Sequence, residues 1–137
     1  MRKTMFRGKT EEGSWVYGYL FVLGEGTEYA ETYILGHLDH RDSVYDVWKC
    51  ATKVISKTVG QDTGMFDTDG VRIFEGDVFN YADTIDYTVI WHDGRVGFYA
   101  DDGNDLCLDS DYLGNFYSGY CKVIGNIHDN PELLHKN

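Results

Sequence analysis

The 137-residue sequence contains a single proline, Pro131. That excludes a proline-rich linker or a polyproline ligand. It contains three cysteines, Cys50, Cys107 and Cys121. An odd number without a CxxC spacing supports neither a disulfide framework nor a zinc site, and points to a reducing compartment. No apolar run approaches the roughly 18 residues that a membrane span needs. No apolar region follows Met1-Arg2-Lys3-Thr4-Met5-Phe6, so a secretory leader is not expected. Positive charge is scarce: 12 Lys and Arg stand against 23 Asp and Glu, a formal net charge of −11. Such a surface repels phosphate backbones and anionic lipid, which disfavours nucleic acid and membrane as partners. The local exception is Arg2, Lys3, Arg7 and Lys9. This arm could touch nucleic acid or an acidic partner, but it reads more simply as a solvated end. Catalytic signatures are missing too. There is no GxSxG elbow and no Walker A, and Gly24-Glu25-Gly26 lacks a third glycine and a following helix.

What is present is aromatic and turn-rich. Aromatics make up 15% of the chain, with 11 Tyr, and there are 16 Gly. Aromatic and β-branched residues suit a pleated, half-buried surface. A chain of this length forms a single domain, here taken as residues 1–137, burying about two-thirds of the surface its unfolded form exposes. The expected fold is mostly β: a small, partly open barrel with SH3-like elements, irregular loops and short helical pieces. Met5–Arg7 and Trp15–Val22 predict a first hairpin, and Tyr33–Leu38 a further strand. Val44–Lys49 and Lys53–Val59 read as strands of poor parity. Gly60–Gly64 and Asp67–Gly70 read as turns, and Val71–Phe74 and Val78–Tyr81 as strands around the tight turn Glu75–Asp77. Asp93-Gly94 between Tyr87–Trp91 and Val96–Tyr99 is the strongest hairpin signal. Cys121–Ile127 is the last strand, and Asn130 is placed to cap a helical turn starting at Pro131. Helix is expected only within Gly103–Tyr120 and after Asn130. The expected core is Trp15, Val16, Leu20, Ile73, Val78, Val89, Trp91, Phe98, Val123 and Ile127.

Four groups of residues carry candidate chemistry. Asp67, Asp69, Glu75 and Asp77 could hold Mg²⁺ for phosphoryl chemistry if they converged. Their spacing fails as an EF-hand, with no Glu at the twelfth position, and turn formation explains them more simply. Asp109-Ser110-Asp111-Tyr112-Leu113-Gly114 imitates a calcium loop but has Leu113 and Tyr120 where ligands belong. His37, Asp39, His40 and Asp42 lack the spacing of a zinc site. Trp15, Tyr17, Tyr19, Trp91, Phe98 and Tyr99 could form a base-stacking platform, though a charge of −11 opposes it and core packing explains most of them.

Four ordered blocks also resemble a known family. They are Phe6-Arg7-Gly8-Lys9 with Trp15–Leu20; Thr58-Val59-Gly60-Gln61-Asp62-Thr63-Gly64; Asp67-Thr68-Asp69-Gly70 through Ile73-Phe74-Glu75-Gly76-Asp77-Val78; and Val123–Leu134. In order and spacing they look like the YopX family of phage and prophage proteins. Phe74 departs where the family commonly has Tyr, and Asp62 where a bulkier residue is usual. The resemblance implies a phage or prophage origin and a bacterial cytoplasm, and it brings no established activity, cofactor or catalytic residue. The resulting expectation is a non-enzymatic binding or assembly module that needs no cofactor. It would form a homo-oligomer, with a host or phage protein as a further partner. The alternatives are a metal-dependent enzyme acting on nucleic acid through the acidic cluster, and an acidic nucleic-acid mimic.

Overall fold

In a computed structural model, which describes residues 4–36, 44–103 and 112–135, the chain divides into two compact units, Met1–Gln61 and Asp62–Asn137. The fold is mostly β throughout the described residues, and their helical segments are all short 3-10 turns.

The first unit is built on strands β1 (Phe6–Lys9), β2 (Trp15–Leu23), β3 (Glu31–Leu35) and β4 (Ala51–Phe66) as far as Gln61. β1 pairs antiparallel with β2 and also with β4, while β3 bridges β2 and β4. The strands therefore close partly on themselves, which removes exposed edges. The alternation of β2 sorts its residues: Tyr17 and Tyr19 are exposed, whereas Gly18 between them is buried. A Cβ at Gly18 would run into the Leu35 carbonyl group, so only glycine permits this approach of β2 to β3. Ile34 and Val54 are buried in this unit. Where β4 bends past β1 the register shifts between Arg7 and Lys9. The buried Thr58 hydroxyl fills the irregularity. It accepts from the Lys9 N–H at 2.8 Å and donates to the Ile55 carbonyl at 2.6 Å.

The second unit contains the end of β4, β5 (Arg72–Phe74) paired with it, and an antiparallel sheet in the order β8-β7-β6-β9. These strands are β6 (Asp77–Tyr81), β7 (Ile85–His92), β8 (Gly97–Asp101) and β9 (Cys121–Asn126). One face of this sheet carries Phe79, Val89, Ala100 and Cys121, which with Ile73 and Leu113 form the buried core. Phe116 closes it, meeting Phe79, Tyr81 and Tyr87 edge-on at 4.8–5.5 Å between centroids. β6 turns into β7 through Ala82 (φ 52°) and Asp83 (φ 58°). Two left-handed residues in succession match the twist of a hairpin, and the Thr84 N–H closes the turn on the Tyr81 carbonyl at 3.0 Å.

Several expectations are corrected. Val44–Cys50 is a 3-10 helix, not a strand. Its poor two-residue parity fits that outcome, and it adds helical structure outside the two regions expected. Gly60–Gly64 is not a turn but lies inside β4, where the register with β5 shifts between Asp62 and Phe66 and Gly64 takes φ 84°. Gly64 serves a bulge, which needs the same positive φ as a turn. Trp91 is 41% exposed and is not in the core. It shares a face with Val89 but sits one step nearer the hairpin tip, beyond the core residues, where its ring meets only the edge of Phe98 among described rings. Val96 belongs to the turn, at φ 50° and exposed, because β8 begins at Gly97. Asn130 precedes a 3-10 turn, Pro131–His135, but its side-chain oxygen accepts from the Asn126 N–H at 3.2 Å. The expected core residues Ile73, Val78 and Val89 are buried, while Trp15, Val16, Leu20, Phe98, Val123 and Ile127 are half-buried.

Candidate functional site

The acidic cluster resolves into separate structural latches. Asp67 is buried, and its carboxylate accepts from the N–H groups of Asp69 and Val71 at 2.9 Å and of Val123 at 3.1 Å. Burial alone would raise its pKa, but the three N–H donors and the nearby Lys122 ammonium leave it below the ordinary carboxylate value. Asp69 binds the Lys122 ammonium at 2.7 Å, and the Thr68 N–H donates to the Cys121 carbonyl at 2.8 Å. The turn Asp67–Gly70 is thereby fastened to β9. Asp77 is buried and accepts from the Phe74 N–H at 2.8 Å. Gly76 sits at φ 92°, its N–H donating to Val89 and its carbonyl accepting from Ile127. Glu75 is half-buried beside it. These four carboxylates do not converge, and no three His, Cys, Asp or Glu side chains gather into a metal-binding group among the described residues. His37, Asp39, His40 and Asp42 lie outside the described residues, as do Asp109, Ser110 and Asp111.

Of the basic arm, Arg2 and Lys3 also lie outside the described residues. Arg7 is buried with its guanidinium 4.7 Å from the Trp15 ring centroid, and the Lys9 ammonium is 5.9 Å from it. These two charges brace an aromatic face rather than extend into solvent. That face continues through the exposed Tyr17 and Tyr19 to Phe21, which stacks on Tyr33 at 5.3 Å and meets Trp48 edge-on at 5.4 Å. Trp91, Phe98 and Tyr99 lie in the second unit, so the six suggested platform residues do not share one sheet. Cys121 is buried in the core, and burial followed by the nearby Asp67 charge pushes its thiol up to about 11. It is therefore a protonated, unreactive thiol at neutral pH.

Sequence reasoning missed a concavity of the second unit. The sheet face opposite the aromatic core carries Val78, Asn80, Asp86, Thr88 and Ile90, and it floors a cleft of about 730 Å³. Register sets the order of these side chains. Asn80 opposes Asp86, Val78 opposes Thr88, and Thr88 also opposes Asp101. One end is therefore polar, with Asn80 donating to Asp86 at 2.8 Å and Asp101 holding the Gly103 N–H at 2.9 Å. The other end is aliphatic, where Ile127 and the 3-10 turn residues Leu133 and Leu134 join Ile90. The signal was available in the alternation of Asp86, Thr88 and Ile90, but a face of one acid, a threonine and an isoleucine reads as solvated until the C-terminal turn supplies the opposite wall. The surrounding charge is one-sided. Met1–Gln61 holds eight Lys and Arg against eight Asp and Glu, whereas Asp62–Asn137 holds four against fifteen, so all of the net −11 belongs to the second unit.

Comparison with known proteins bears on the family and the fold. The family model described as YopX protein matches residues 5–135. No curated protein matches the chain significantly. Among solved structures, the chain is similar to protein EF1440 from Enterococcus faecalis, with a TM-score of 0.56 and 24% identity, covering 98% of this chain and 100% of that one. That likeness is one of fold.

Proposed function

This chain belongs to the YopX family, and from that premise we propose that it is a non-enzymatic binding module. It is encoded by a phage or prophage, acts in the bacterial cytoplasm and works as a homo-oligomer. One observation carries the reading: the cleft on the face of the β8-β7-β6-β9 sheet opposite the aromatic core is lined by aliphatic residues, Asn, Thr and Asp, with no His, Cys, Lys or Arg among its lining residues. A volume of this size that sets polar groups beside aliphatic ones suits recognition. No helix among the described residues is long and apolar enough to cross a membrane.

The test is affinity capture from the bacterial host with the full-length protein and with a variant whose cleft is plugged, Thr88→Trp. Partners held by the native protein should be lost from the plugged one. Partners unaffected by the plug, or purified protein that cleaves nucleic acid with Mg²⁺, would overturn the reading. The charge partition gives a second reading some support. An acidic unit of fifteen carboxylates against four basic residues could occupy the basic surface of a DNA-binding protein. Competition between the purified protein and duplex DNA for such a partner separates the two readings.

A further inference from the structure

The cleft of the second unit is chemically graded along β7, and the gradient says what should occupy it. Asp86, Thr88 and Ile90 point to one face in succession. Same-face residues two apart in a strand are separated by about 6.6 Å, so the acidic and aliphatic ends lie about 13 Å apart. Asp101 is brought beside Thr88 by its register with β7, and Asp102 follows it on the cleft wall. At the far end Ile127 and Leu133 stand with Ile90. Three carboxylates toward one end of a cleft whose other end is aliphatic, in the unit that holds all of the chain's net negative charge, complement a cation with an aliphatic group beside it.

We propose that this cleft binds an extended basic segment of a partner protein, seating a Lys or Arg among Asp86, Asp101 and Asp102 and an aliphatic side chain against Ile90, Ile127 and Leu133. The proposal rests on the reading of the cleft as a binding site given above. An extended chain advances about 3.3 Å per residue, so the two anchors are about four positions apart in the ligand. Asp86 and Asp101 already accept hydrogen bonds from Asn80 and Gly103, which fixes their positions before a ligand arrives. Such preorganisation lowers the cost of binding. The acidic surroundings attract the segment from a distance, and the aliphatic end holds it once it arrives.

The experiment is selection of a displayed library of random nine-residue peptides on the full-length protein. Fluorescence anisotropy then measures binding of the enriched peptides as synthetic probes. The expected consensus has a Lys or Arg and, about four positions away, Leu, Ile or Val. Affinity should fall at least tenfold on Asp86→Asn/Asp101→Asn/Asp102→Asn, which keeps the side-chain oxygen acceptors while removing the charge. Circular dichroism melting of each variant establishes that it is folded, and Leu133→Trp serves as the plug if Thr88→Trp is not. Peptides lost on plugging but held within twofold by the triple variant would sink the charge-based proposal and leave the cleft as a binding site. Peptides indifferent to the plug would sink both. Failure to enrich any sequence, a consensus without basic residues, or spermidine bound in the cleft as tightly as the peptides would overturn the proposal.

Discussion

At the scale of single residues, carboxylates hold much of the fold in place. Asp67 satisfies three backbone N–H groups from two parts of the chain, its own turn and β9. Asp67→Asn removes the charge and turns an amide N–H₂ toward at least one of those donors. A buried group left unsatisfied costs about 1–3 kcal/mol, so this variant should lose about that much in urea unfolding at pH 7. The pH dependence has a definite sign. The folded state holds this carboxyl below its ordinary pKa of 3.8, so its contribution is fully present above that value and is lost as pH falls through the lower folded value. Native protein should lose more stability than Asp67→Asn between pH 5 and about pH 2. Equal losses would show that the latch does not depend on ionisation.

At the scale of elements, β2 and the β7–β8 hairpin make contrasting cases. Gly18→Ala drives a methyl group into the backbone of Leu35. The strand must then shift in the middle of its pairing with β1 and β3, at a cost of about 3 kcal/mol. A melting temperature unchanged from the native protein would contradict this approach of β2 to β3. Trp91→Ala should cost only about 1 kcal/mol, well under the 3–5 kcal/mol typical of a buried Trp, because the residue is 41% exposed. A larger loss in denaturant melting would place the ring in a core. These two elements also show what the sequence makes legible. Most of the strands, the aromatic content of β2 and the turn at Asp67–Gly70 follow from local chemistry and are found where expected, whereas Val44–Cys50 is helical and the turn expected over Glu75–Asp77 gives way to β6 at Asp77. Trp91 carries the right parity, but parity cannot say how far a core extends toward a hairpin tip. Gly60–Gly64 shows the same limit, since a glycine at positive φ, as at Gly64, serves a bulge as well as a turn. Asp67, Asp69, Glu75 and Asp77 were legible as turn residues. The cleft was not, because its walls come from Asp86 and Leu133, which are distant in sequence.

At the scale of the whole molecule, the partition of charge decides how copies can meet. Repulsion from a net −11 would oppose association, and salt screens it only beyond about 8 Å. The first unit is balanced in charge and carries Tyr17, Tyr19 and Trp48 exposed, at 48%, 44% and 57%. Tyr and Trp are the residues that anchor protein interfaces. Self-association through this face should therefore survive low salt. Light scattering behind a sizing column should give a mass above one chain at tens of micromolar, and Tyr17→Glu/Tyr19→Glu should return it to a monomer. A native protein with the mass of one chain in both low and high salt would rule the oligomer out.

The uninterrupted run of β4 from Ala51 to Phe66 bears on how this chain can be divided by engineering or recombination. Its residues up to Gln61 pair with β1 and β3, and those after it pair with β5. The boundary between the units falls within β4, so no loop marks it. A fragment ending at Gln61 keeps its pairings to β1 and β3, but the remaining fragment then begins in mid-strand. An exchange of gene segments at that point severs the same strand in both products. The two units are distinguishable in composition and charge, yet they are not interchangeable cassettes. A crossover that spares both has to fall in a loop elsewhere, and whatever lies on either side of β4 is inherited with it.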